Sequence, residues 1–151
     1  MKLLVLILTI GLIISYDRSK AVKYAKKYCN NYNPKYHNYN PEGGDCANFV
    51  SQCLIAGGMN LVQMCGSGVA YGVGGTVPAV KYMRSCFQKN AWSSSNTAKS
   101  DFKMGDVILY DGHAVFAIAG YPKVIIAAHN NNQCAGNPNY RSGAVYWHYK
   151  G

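Results

Sequence analysis

The chain has 151 residues, 49% of them apolar and 14% charged, and a formal net charge of +9. That length suits one domain able to bury a core of its own, and the apolar content excludes a disordered chain. No apolar run reaches the roughly 20 residues of a membrane-spanning helix, so no span is expected.

In chain order, Met1-Lys2, the apolar stretch Leu3 to Ile14 and the small Ser15 have the layout of a secretory signal peptide. Polarity changes abruptly at Tyr16-Asp17-Arg18, so the expected organisation is a signal segment over residues 1–15 and one domain over 16–151. Asp17 to Cys29 reads as a helix, with Asp17 as N-cap, Ala21 and Ala25 at helical spacing and Lys20, Lys23, Lys26 and Lys27 elsewhere. Asn30 to Gly44, rich in Asn, Tyr and Pro, reads as loop. Cys46, Phe49, Val50, Cys53 and Leu54 mark an amphipathic helix to about Ala56, stopped by Gly57-Gly58. Met64 to Gly75 is a glycine-rich loop without the ending of a phosphate loop. A further helix is expected from Thr76-Val77-Pro78 to about Phe87, followed by a Ser-rich connector. Val107 to Tyr110, His113 to Ala119, Val124 to Ala128 and Ala144 to Tyr149 then read as strands. Helices first and strands second predict an α+β fold with an antiparallel sheet.

Export makes the six cysteines (Cys29, Cys46, Cys53, Cys65, Cys86 and Cys134) readable as three disulfides. Zinc is disfavoured, because no CxxC pair occurs and His37, His113, His129 and His148 are scattered. Cys46 has a second reading. In GGDCANFVSQCLIAGG (residues 43 to 58) it falls on the first turn of a helix, whose dipole favours the reactive thiolate. Spacing alone leaves nucleophile and disulfide partner equally open.

A thiol nucleophile needs a base. His113 heads the strand within GDVILYDGHAVFAI, and the chain returns through VIIAAHNNN. A three-residue hairpin loop would set His113 opposite His129, and a two-residue loop opposite Asn130. Either could orient an imidazole as the third member of a triad.

The segments YDRSKAVKYAKKY, GGDCANFVSQCLIAGG and GDVILYD, with His113 and His129 after them, resemble an amidase domain family of the papain-like NlpC-type superfamily. The resemblance covers essentially the whole chain after the signal. It implies a papain-like α+β fold with N-terminal helices packed on an antiparallel sheet. It also implies Cys46 as nucleophile, His113 as general base and acid, and His129 as orienting third residue. Asp45 either caps the helix or matches the acid with which some wall endopeptidases hold a free substrate amine. Where the superfamily often has a serine soon after the nucleophile, Ala47-Asn48 stand here. With Cys46 as nucleophile, Cys53 is expected to be the other free thiol, and Cys65–Cys86 and Cys29–Cys134 the disulfides.

The resemblance implies amide hydrolysis without metal or cofactor, typically in the peptide stems of bacterial peptidoglycan, by a secreted monomer with an antibacterial or digestive use. The lysines at 20, 23, 26, 27 and 35 fit an anionic target, whereas nucleic acid is disfavoured for want of a binding motif. The rival expectation is a non-enzymatic cationic binding protein held by three disulfides, and a third is a hydrolase of the same fold acting on another amide.

Overall fold

The computed structural model describes residues 15–151, so the expected signal segment, apart from Ser15, lies outside the described residues. Among the described residues the chain is α+β. The helices are α1 (Arg18–Tyr28), α2 (Cys46–Ala56), α3 (Leu61–Cys65) and α4 (Val80–Gln88). The strands are β1 (Trp92–Ser95), β2 (Val107–Tyr110), β3 (His113–Ala119), β4 (Ile125–Ala128), β5 (Gln133–Gly136) and β6 (Val145–Tyr149). All six form one antiparallel sheet in the order β1-β6-β2-β3-β4-β5. Among the described residues no helix is long and apolar enough to cross a membrane.

Helix α1 forms as its sequence predicts. Asp17 accepts from the Lys20 N–H at 2.9 Å, and Ala21, Val22 and Ala25 are buried while the lysines face out. Arg18 reaches across to the sheet and pairs with buried Asp106 at 2.7 Å, and the same carboxylate holds His148 at 2.8 Å. The start of the described chain is thus tied to its last strand.

Helix α2 departs from the amphipathic expectation, because it is buried on every side from Cys46 to Leu54. Its polar residues tolerate this by finding partners. Ser51 Oγ donates to the Ala47 and Val77 carbonyls and accepts from the Val77 N–H, and Gln52 Oε1 accepts from the Tyr24 hydroxyl at 2.7 Å. That tie to Val77 also explains why α4 begins at Val80 and not at Thr76. Val77 is held against α2 and precedes Pro78, which disfavours helical backbone before it.

Alternation divides the sheet. Val107, Leu109, Ala114 and Phe116 join the main core with Phe49, Val50 and Leu54, whereas Ile108, Tyr110, Val115 and Ala117 form a smaller core on the other face with Phe102 and Ile126. Strands β1 and β5 go beyond the sequence reading, which has a Ser-rich connector after Phe87 and no element between Ala128 and Ala144. Backbone pairing overrides weak local preference there. Strand β1 is laid against β6 by Trp92, which stacks on Phe87 at 4.0 Å. Strand β5 is fastened to the end of α1 by the Cys29–Cys134 disulfide.

Candidate active site

The site is built where the N-terminus of α2 meets the start of β3. Gly44 has φ +138°, and a Cβ there would lie 2.3 Å from Asn130 Nδ2, so only glycine allows this approach. Asn130 Oδ1 in turn accepts from the Asp45 N–H at 3.1 Å. Asp45 is wholly buried. One carboxylate oxygen accepts from the Tyr39 N–H at 3.0 Å and from Asn48 Nδ2 at 2.8 Å, while the other meets His129 Nδ1 at 2.6 Å. The Asp45 side chain makes no capping bond to α2, and neither oxygen is exposed to meet a substrate amine.

Cys46 opens α2 and is 6% exposed. The backbone amides of Ala114, Ala47 and Cys46 itself favour a charged sulfur, as the helix-start position predicts. Burial outweighs them and pushes the thiol above its ordinary range. Cys29–Cys134 and Cys65–Cys86 are disulfides, leaving Cys46 and Cys53 free. Three disulfides, the premise of the rival binding-protein reading, therefore do not form. Cys53 is fully buried seven residues along the same helix, among core side chains.

His113 begins β3 opposite Tyr110, so its backbone adjoins Ala114, whose amide serves the Cys46 sulfur. The thiol therefore lies against the backbone next to His113, with no hydrogen bond between thiol and imidazole among the described residues. His113 Nε2 meets the Tyr140 hydroxyl at 2.5 Å. Tyr140 closes a short 3₁₀ turn, Pro138–Tyr140, which the Tyr110 hydroxyl anchors by donating to the Pro138 carbonyl at 2.5 Å. Burial, reinforced by the nearby Arg141 guanidinium, lowers the His113 pKa to about 4. Thiol and imidazole are thus both held neutral near pH 7.

His129 does not join this group. Its Nδ1 meets Asp45, its Nε2 donates to the Tyr28 carbonyl at 2.7 Å, and its ring stacks on Phe49 at 4.1 Å and lies 4.4 Å from Tyr32. Both nitrogens are engaged away from His113. Phe116 pairs with Ala127 and Ala117 with Ile126, a register that continues to His113 opposite Asn130 and not His129, but the ladder stops before reaching either because Asn130, Asn131 and Asn132 all take positive φ. Asn130, the other candidate, is held by Asp45. The residue that does touch His113 is Tyr140, 27 positions further on, in an Asn-Pro-Asn-Tyr turn that carries no local sign of chemistry. Among the described residues no three His, Cys, Asp or Glu side chains converge as a metal site.

The model of a family described as "Putative amidase domain" matches residues 15–150. The chain belongs to this family. It is also 29% identical over 165 aligned residues to "Uncharacterized protein YhbB" of Bacillus subtilis (strain 168), an alignment covering 93% of this chain. The chain spans about half of that relative, 47% of its length. No solved structure matches.

Proposed function

We propose that the protein is a secreted, cysteine-dependent amide hydrolase with a papain-like, NlpC-type arrangement, acting on the peptide stems of bacterial peptidoglycan. The observation that carries this reading is Cys46. It is an unpaired thiol at the first turn of a rigid buried helix, with three backbone amides favouring its anion, beside the strand that begins with His113. The family match supports amide hydrolysis, and the two disulfides are compatible with an extracellular protein.

With both groups neutral at rest, the proton moves as the bond forms. His113 Nδ1 takes the proton from Cys46 Sγ while the sulfur attacks the carbonyl carbon of the amide. Tyr140 accepts from Nε2–H and so steadies the imidazolium. First-turn amides of α2 stabilise the oxygen as it becomes an anion. Collapse of the tetrahedral species breaks the C–N bond, His113 hands its proton to the departing amine, and a thioester remains. Water, deprotonated by His113, then releases the acid and restores the thiol. Asp45 and His129 are positioning residues here. They fasten the Tyr39 loop, the end of α1 and the segment after β4 around the N-terminus of α2.

The test is mass spectrometry of purified peptidoglycan after incubation with the protein, beside Cys46→Ala. New stem-peptide fragments, reduced by about 10⁴-fold or more in the variant, are expected. Undigested peptidoglycan together with a thiol that resists alkylation would overturn the hydrolase reading.

A further inference from the structure

Asp106, His148 and Ser93 stand in one row across three neighbouring strands. Strands β2 and β6 pair Val107 with Trp147, so Asp106, the residue before β2, falls opposite His148, and β1 sets Ser93 opposite that same histidine. Val107, Trp147 and Trp92, their neighbours in sequence, enter the main core. Asp106, His148 and Ser93 therefore project from the other face of the sheet, where Tyr146 joins the smaller core. Directly opposite residues on one face bring their Cβ atoms to within about 5.5 Å.

The carboxylate at one end of the row is wholly buried and fixed through both oxygens. Oδ1 accepts from Arg18 Nη1 at 2.7 Å and from the Tyr149 N–H at 3.2 Å, while Oδ2 accepts from the Lys103 N–H at 2.9 Å and meets His148 Nδ1 at 2.8 Å. A carboxylate only accepts, so the ring proton sits on Nδ1 and Nε2 keeps its lone pair. The ring makes no second hydrogen bond among the described residues. Ser93 is half-buried, and its hydroxyl has no partner among the described residues, which leaves it free to turn toward Nε2. Both side chains line an open cleft of about 310 Å³ together with Ser95, Thr97, Lys99 and Asp101.

A buried acid, an imidazole oriented by it and a hydroxyl beyond the imidazole are the parts of an activated serine. We propose that this row is a second catalytic site, in which Ser93 is the nucleophile toward short acyl esters, His148 is its base and Asp106 is the positioning residue. The site is separate from Cys46 and does not depend on the amide-hydrolase reading. Esters are the class, because no helix residue lines this cleft to offer free first-turn amides, and an alcohol is a better leaving group than an amine. Lys99 is the one lysine or arginine in the lining, and its ammonium is the charge available to the developing oxyanion. Ser93 Oγ bonds to the acyl carbon while its proton passes to His148 Nε2. The ester C–O bond breaks, the alcohol leaves with that proton, and an acyl-serine remains. Water then gives a proton to Nε2 and attacks the acyl-serine, and departure of the carboxylic acid returns the proton to Ser93.

The probe is p-nitrophenyl acetate, added to the intact protein and to Cys46→Ala, in which the thiol makes no contribution. Acid-quenched protein is mapped by mass spectrometry. The expected result is an acetyl group on Ser93 in both proteins. Nitrophenolate release should fall at least about tenfold when Ser93→Ala or His148→Gln is added to Cys46→Ala. Nitrogen NMR of His148 in the intact protein should show the proton on Nδ1, and Asp106→Asn should move it to Nε2 and end the labelling. Release unchanged by Ser93→Ala, or no faster than free imidazole produces, overturns the second site. So does an acetyl group confined to Lys99, Cys46 or any other residue, or a His148 proton on Nε2 in the intact protein. Each of these outcomes leaves the amide-hydrolase reading standing, because peptidoglycan cleavage tests that reading separately.

Discussion

The two buried histidines beside α2 sit in opposite surroundings, 1% and 2% exposed. His129 is closed in. A carboxylate holds one nitrogen, a backbone carbonyl holds the other, and Phe49 and Tyr32 cover the ring. His113 has a tyrosine hydroxyl on one nitrogen, a cation nearby and no carboxylate. The first pattern gives both ring nitrogens a partner. The second leaves one nitrogen to trade protons, which is what a base requires. Burial alone therefore does not distinguish the two rings. The partners do.

Removing the carboxylate strikes the closed side of this contrast hardest. Asp45→Ala leaves His129, the Tyr39 N–H and Asn48 Nδ2 without their acceptor, and should lower stability by about 3–5 kcal/mol, read by urea unfolding. A loss under 1 kcal/mol would mean that the network is not what holds the N-terminus of α2.

The open side should respond to pH. The pKa of His113 falls from 6.5 unfolded to about 4 folded, so the unfolded chain binds the extra proton between those values. Stability from the neutral ring is complete above about pH 6.5 and is lost as pH falls toward 4, by at most about 3 kcal/mol. Unfolding measured at pH 7 and pH 4 should show that loss, and His113→Gln should reduce it. On the same grounds the acid limb of kcat/KM belongs near pH 4 and not near 6.5. A limb at 6.5 would show that His113 is as well solvated in the working enzyme as a free imidazole.

The smallest change sharpens the comparison most. Tyr140→Phe removes one hydroxyl from His113 and should lower kcat by about 10-fold with little change in KM, the effect of one lost hydrogen bond. The acid limb should move with it, since the imidazolium loses its acceptor. Unchanged kcat would remove Tyr140 from the mechanism and leave His113 without an orienting group.

Local patterns in the chain are enough for the α+β order, the helices around Asp17 and Cys46, four of the strands, and His113 at the head of one of them. Each rests on short-range signals: a capping carboxylate, 3.6-residue or two-residue periodicity, and glycine at a turn. The resemblance then marked Cys46, and with Cys46 and Cys53 set aside the pairing expected of the other four cysteines is the one that forms. Which polar groups meet is settled at the level of the whole fold. Pairing supplied the serine strand β1 and the Asn-flanked β5, whose own propensities are too weak to declare them. Three left-handed asparagines end the β4 ladder short of His113, His129 pairs with Asp45, and a turn 27 residues beyond His113 brings Tyr140 to its ring. Hydrogen-bond partners far apart in the chain depend on registers and loop paths that no local pattern encodes, so His113 was legible in the sequence and its tyrosine partner was not.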